Sequence, residues 1–342
     1  MKRINKLLTL GFVLLFAAMS MQAGDLDRIG TTSGSQLLIP VGARSIALGG
    51  APLATINGAE AIYWNPAGIA GGANSEFMFN NMQYIANIDV NYLAAVFNGG
   101  NIGSFGFHIS SMDFGDIEQT TETSPDGTGD FWSPTFVVAG FSYSRLLTDR
   151  IQAGITGKYV YESIIDASAG AFAIDMGVQY NFGKNLQLGV TMKNVGTKMR
   201  YSGTSLEQTF LVNSPNPDRD DGFFSSVAIE SDIPSLFGFG MSYNVNVNEE
   251  NSFVLSGAFS NYNDASDRIF SGVEYNFRQM FYLRGGYNYE AQVDAADQLF
   301  GATFGAGVNW SLGTFGFAAD YAYQQVNDYF DSGNIFTIKL TY

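Results

Sequence analysis

Leu186-Gln-Leu-Gly-Val-Thr-Met-Lys193 places Leu186, Leu188, Val190 and Met192 on one side of an extended chain and Gln187, Thr191 and Lys193 on the other. Successive side chains of a strand point to opposite faces, so this period of two predicts a β-strand with one apolar and one polar face. Downstream, Phe281, Leu283, Tyr287 and Tyr289 oppose Tyr282, Arg284, Asn288 and Glu290 in the same manner.

From Glu76 onward the pattern repeats in about fourteen segments. They lie near 76–86, 88–97, 102–114, 133–146, 150–163, 169–182, 186–196, 236–247, 251–262, 267–278, 280–290, 299–311, 314–325 and 334–342. Phe223 to Ile229 is a candidate for one more. Asn98–Asn101, Thr148–Arg150, Gly183–Asn185, Asn248–Glu250, Arg278-Gln279 and Ser311–Gly313 make tight turns, and longer links, above all 115–132 and 197–235, fall between them. Short turns on one side and long loops on the other are the habit of transmembrane barrels, whose short side is periplasmic. The expectation is an all-β protein: a transmembrane antiparallel β-barrel of about 14 strands over residues 74–342, with both termini on the short-turn side. In the last strand Phe336, Ile338, Leu340 and Tyr342 share one face, and Thr337, Lys339 and Thr341 the other. That ending resembles the signal read by the outer-membrane barrel assembly machinery.

Composition agrees. Of the residues 46% are apolar and 15% aromatic, yet only 14% are charged, against about 25% in an ordinary soluble chain. No apolar run after residue 23 approaches the roughly 18 residues of a membrane helix. Lys2, Arg3 and Lys6 precede the apolar run Leu7–Met19, which predicts a signal peptide over residues 1–23. Cleavage after Ala23 or after Ser20 both fit. The formal charge of −15, made more negative by loss of that basic leader, argues against nucleic acid as a partner. The acids concentrate in the long links: Asp116, Glu118, Glu122, Asp126 and Asp130 in one, and Asp218, Asp220, Asp221 and Asp232 in another. Asp264, Asp267, Asp294, Asp297, Asp328 and Asp331 sit at later hairpins. With no Cys in the chain, neither a disulfide scaffold nor a cysteine-linked lipid anchor is available.

One stretch breaks the pattern. Val41–Ala70, VGARSIALGGAPLATINGAEAIYWNPAGIA, is made of small residues without strand alternation. Asn57 is placed to cap a short helix from Gly58 to Trp64. Pro66 disfavours helical geometry at Asn65 and ends that helix, while Asn65 equally suits the cap of a second turn with Pro66 at its first position. Turns with so little apolar surface need a surrounding wall, so residues 24–73 are expected to form a plug in the lumen. Arg44 is its lone cation, set to pair with a lumen acid such as Asp175 or Glu274 or to touch a ligand.

Catalytic signals are absent. His108, the only histidine, opposes Phe105, Phe107 and Ile109 and should face the lumen, and no motif marks a nucleophile for it. Asp126–Asp130 and Asp218–Gly222 lack the ligand spacing and closing Glu of a calcium loop. The reading is of a non-enzyme without cofactor or metal site.

At GARSIALGG and AIYWNPAGIA the sequence resembles the PorV/PorQ family of outer-membrane proteins, related to the FadL-type transporters. Gly42, Ala43, Arg44, Leu48, Gly49, Gly50, Tyr63, Trp64, Asn65, Pro66, Ala67 and Gly68 match its paired motifs. The likeness extends through the Asp89 hairpin and Asp113–Ile117. It implies an outer-membrane barrel of fourteen strands whose plug motif (Arg44, Tyr63, Trp64, Asn65, Pro66, Gly68) is a binding element. PorV-like members serve type IX secretion, carrying cargo to the surface through its C-terminal signal domain. FadL-like members pass hydrophobic small molecules through the barrel wall or lumen. The implied partners are therefore outer-membrane lipid, with secretion-system proteins or cargo signal domains on the first reading and a hydrophobic ligand on the second. The first leads and the second is the alternative.

Overall fold

The computed structural model describes residues 29–72, 74–183, 185–210, 222–225, 227–294, 297–327 and 330–342. The expected signal peptide, Asp218, Asp220, Asp221 and Asp328 lie outside them. Among the described residues, 14 strands form one closed antiparallel ring. In chain order these are β1 (Glu76–Gln83), β2 (Asp89–Asn98), β3 (Ser104–Asp113), β4 (Thr135–Thr148), β5 (Ile151–Ile164), β6 (Ala167–Asn181) and β7 (Leu186–Gly196). The second half is β8 (Leu236–Asn246), β9 (Asn251–Tyr262), β10 (Arg268–Phe277), β11 (Phe281–Glu290), β12 (Phe300–Leu312), β13 (Phe315–Val326) and β14 (Gly333–Thr341). Each strand pairs with its sequence neighbours, and β14 closes on β1 from Glu76↔Thr341 to Gln83↔Asn334. Closure removes the unpaired edges that a bilayer cannot hydrate. Register slips only at Leu146/Thr148, Ile174/Met176 and Phe300/Thr303.

Burial is inverted relative to a soluble protein. Large apolar side chains such as Phe79, Leu93, Phe107, Phe172, Leu283 and Ile338 face outward and are exposed, while Asn80, Ser144, Thr156, Asp175, Glu274 and Thr337 face inward and are buried. The outer face, placed in lipid, gains what a soluble core gains by burial, and aromatic pairs brace adjacent strands, as at Phe107–Phe141 with centroids 4.9 Å apart. A closed barrel of this kind migrates faster in a gel before boiling than after it, the expected behaviour of the purified protein.

Three details differ from the sequence reading. The strand expected over 76–86 stops at Gln83, because Ala86 and Asn87 adopt left-handed backbone (φ 56° and 59°) and turn the chain. The candidate strand near Phe223 joins no barrel wall; Gly222–Ser225 pairs only with Glu207–Phe210 in a separate hairpin of the 197–235 link. The third concerns the termini. The barrel's ends do meet on the short-turn side, where Ser75 and Tyr342 exchange backbone hydrogen bonds of 3.0 and 2.9 Å. The described part of the segment before β1, however, starts among the long loops, with Ser33 N–H donating to Asp232 O at 2.9 Å. From there it descends the lumen to reach β1 on the short-turn side.

Candidate functional site: the plugged lumen

The plug is a chain of short turns: a 3-10 turn at Ser35–Leu38, helix α1 (Ala43–Ala47), a 3-10 turn at Gly58–Glu60, helix α2 (Ala61–Trp64) and a 3-10 turn at Pro66–Gly71. None is stable alone, since isolated helices shorter than about 12 residues are marginal in water. Their aliphatic residues Ile56, Ile62 and Ile69 are buried against one another and against Met78, Tyr92 and Val96 of the wall. Each such burial contributes about 1.5–3 kcal/mol.

The backbone amides that open α1 find partners on the barrel and within the plug itself. Gly42 N–H donates to Asn80 Oδ1 at 3.2 Å, Ala43 N–H to Thr337 Oγ1 at 2.8 Å, and Ser45 N–H to Glu60 Oε1 at 2.9 Å. Gly42 takes φ +86°, and a Cβ there would collide with the Glu60 carboxylate, so glycine is required for both conformation and approach. Glu60 in turn accepts from Lys339 Nζ at 2.6 Å. Asn57 does not cap Gly58–Glu60 through its side chain; Glu76 Oε1 accepts from Ala59 N–H at 2.8 Å instead. A carboxylate at the first strand residue replaces the expected amide.

Arg44 takes the second of its two candidate acids. Its Nε and Nη2 donate to Glu274 Oε2 and Oε1 at 2.9 and 3.1 Å. Glu274 also accepts from Arg284 Nε at 2.7 Å, and Arg284 Nη1 donates to Asp320 at 2.5 Å. Asp175 is committed elsewhere, to Lys158 Nζ at 2.7 Å and to Asn194 N–H at 2.7 Å. The plug is thus held to the wall by two ionic latches, Arg44 to β10 and Glu60 to β14.

Asn65 and Pro66 do both things the sequence allows. They end α2 and start the next turn, with Asn65 Oδ1 accepting from Ala67 N–H at 3.2 Å and Pro66 at the first turn. The Asn65 amide also donates to Leu53 O at 3.0 Å and to Val178 O and Val190 O at 3.4 Å, tying the plug to β6 and β7. The wall makes room with glycine: a Cβ at Gly154 or Gly177 would collide with Pro66 or Asn65. Gly68 is pressed on Ile56 O. Tyr63 and Trp64 stand edge-to-face at 5.2 Å, and the Trp64 indole donates to Val41 O at 2.8 Å.

Of the six motif residues, Tyr63 and Trp64 alone line a lumenal cavity of about 240 Å³ on the long-loop side of the plug. Tyr84, Tyr262, Phe270 and Phe300 supply further aromatic wall, and Lys193 and Arg268 its cations. Arg44, Asn65, Pro66 and Gly68 fix the plug below. His108 faces inward, stacked on Tyr92 at 5.6 Å, as its strand position predicts. Sequence reading passed over Glu60, Arg268 and the acid Asp320; for the two wall residues, charge on an inward strand position was the available signal, as Lys339 and Arg284 show.

Burial alone would raise the Glu60 carboxyl pKa, but the Lys339 ammonium, its hydrogen bond, hydrogen bonding from Ser45 and the Arg44 charge together hold it below the ordinary value. A carboxylate depressed in the folded state adds stability above its unfolded pKa, and that stability is lost as pH falls through the folded value. We expect the seated plug to be insensitive to pH near neutrality and to loosen below about pH 4.3, the unperturbed glutamate value. Protease accessibility of residues 29–72 against pH checks this, and Glu60→Gln should weaken the neutral-pH state and flatten the profile.

Fold and lumen together define a bacterial outer-membrane β-barrel with a plugged interior. Solved structures of similar fold include monoaromatic hydrocarbon channels. The monoaromatic hydrocarbon channel CymD superposes with TM-score 0.50 at 12% identity, over 89% of this chain and 97% of that one. The Pseudomonas putida toluene transporter TodX gives 0.50 at 12% identity over 93% and 98%, and a TodX deletion mutant 0.52 at 13% over 88% and 98%. At such identity the likeness is one of fold. No protein-family model matches the chain, and no curated protein does.

Proposed function

We propose that the protein is a non-enzymatic, passive outer-membrane transporter of hydrophobic small molecules, exported by a cleaved signal peptide at residues 1–23. The observation that carries this reading is the aromatic-lined cavity above the plug, reached from the long-loop side where Leu236, Tyr262 and Leu299 stand. Apolar pockets with a few convergent polar groups are the usual form of small-molecule sites. The continuous β2–β3–β4 ladders favour a route through the lumen, past a plug that must shift, over one through a break in those strands. In this reading Tyr63 and Trp64 are the binding members of the plug motif, and Arg44, Asn65, Pro66 and Gly68 hold it in place. Cells lacking the protein should take up a labelled alkylbenzene at low concentration several-fold more slowly than complemented cells; equal uptake would refute the proposal.

The alternative in type IX secretion or surface attachment is supported by the paired sequence motifs and by the exposed acids Asp116, Glu118, Glu122, Asp126 and Asp130 of one long loop. Recovery of secretion components or cargo signal domains with the protein from outer membranes would favour it over transport.

A further inference from the structure

Three polar side chains on the cavity wall lack the partners that burial demands. Lys193, on β7, is 3% exposed. Its ammonium lies 3.4 Å from the Tyr63 ring centroid and, among the described residues, has no hydrogen bond and no ion pair. Its near acid, Asp175, is already engaged by Lys158 and the Asn194 amide. Asn288 on β11 and Gln324 on β13 are 6% and 5% exposed, and Asn288 Oδ1 and Gln324 Oε1 have no hydrogen-bond partner. All three line the same cavity as Trp64, Phe270 and Phe300. A ring face offsets only part of the cost of a buried ammonium, and an unmet buried amide costs as much as a lost hydrogen bond. A bare hydrocarbon would leave all of these unmet.

We infer that the cavity is a site for a small amphiphilic acid: a carboxylate accepting from Lys193, on a compact aromatic or short aliphatic body lying against Trp64, Phe270 and Phe300. The inference rests on the transport reading and names its substrate class. The partnerless Asn288 Oδ1 and Gln324 Oε1 are acceptors and suit a hydroxyl donor on the ligand. The volume, about 240 Å³, falls below the roughly 300–1,000 Å³ of sites for drug-sized ligands, which favours a single ring over a long chain. Arg268 at the mouth is paired with Glu290 at 2.9 Å through Nη2, though its Nε has no partner; Lys193 has no ion pair among the described residues and is the cation assigned to the head group.

The test uses the full protein in lipid nanodiscs, with para-ethylbenzoate and its uncharged analogue para-ethyltoluene as probes and calorimetry as readout. Wild type should bind the carboxylate at least about tenfold more tightly, the size of one hydrogen bond to a charged group. Lys193→Met should bring the ratio of the two affinities to about one, whereas Lys193→Arg should retain the wild-type ratio within a few-fold. Equal wild-type affinity for the two probes, or a carboxylate affinity untouched in Lys193→Met, overturns the inference. Binding of para-ethyltoluene alone sinks the acid site while the transport reading stands; binding of neither probe sinks both. Should Lys193→Met fail the heat-modifiability check, the wild-type comparison of the two probes decides alone.

Discussion

Glu274→Leu should unseat the plug while leaving the barrel closed. Glu274 is 4% exposed and accepts from both Arg44 and Arg284. Arg284 retains Asp320 after the change, but Arg44 loses the partner of its bidentate pair. Removing one member of a buried ion pair typically costs about 3–5 kcal/mol, because the remaining charge is left uncompensated in a poorly solvated site. The strands keep their ladders, so heat-modifiable migration should persist while residues 29–72 become protease-sensitive. Arg44→Leu combined with Glu274→Leu should recover part of the loss, since an apolar pair of similar volume strands no charge between plug and wall. A double mutant as loose as Glu274→Leu alone would show that Arg44 does not latch the plug.

Gly68→Val should have a comparable effect through sterics alone. A Cβ at Gly68 collides with Ile56 O and comes within 2.9 Å of Ala61 Cβ. The backbone on both sides is pinned, by the Asn65 cap before it and by β4, β5 and β6 around the Pro66–Gly71 turn. Overpacking a well-filled interior costs about 1–3 kcal/mol, and a collision with backbone that cannot yield belongs at or above the top of that range. Ala70→Val, at a half-buried position of the same turn, is the control and should be nearly neutral. Thermal release of the plug, followed by proteolysis across temperature, measures both; an unaltered release temperature in Gly68→Val would refute the packing argument.

The wall was legible because its code is local. Strand ranges read from alternation over 186–196 and 251–262 coincide with β7 and β9, and inward placement of Lys193, Arg284 and Lys339 followed from the same period. The reading failed where a backbone conformation rather than a side-chain pattern decided, as at Ala86 and Asn87. It also failed at the Asn57 cap, where the winning acceptor, Glu76, belongs to the next element. Sequence offered Arg44 two acids. The choice of Glu274 depends on which strand faces α1 once the ring has closed.

By itself the sequence determined the barrel, its membrane-facing surface and the presence of a small-residue plug, because strand alternation and turn chemistry act between residues a few positions apart. The tertiary structure decided the plug's descent from the long-loop side, its latches and the cavity above it. Arg44 and Glu274 are 230 positions apart, and Glu60 and Lys339 are 279 apart. Such pairs meet only when β14 closes on β1 and the register of the whole ring brings each inward charge to a fixed height. The position of Lys193 is a product of the same closure: Asp175 is spent on Lys158, and among the described residues Lys193 is left without an ion pair beside an aromatic cavity.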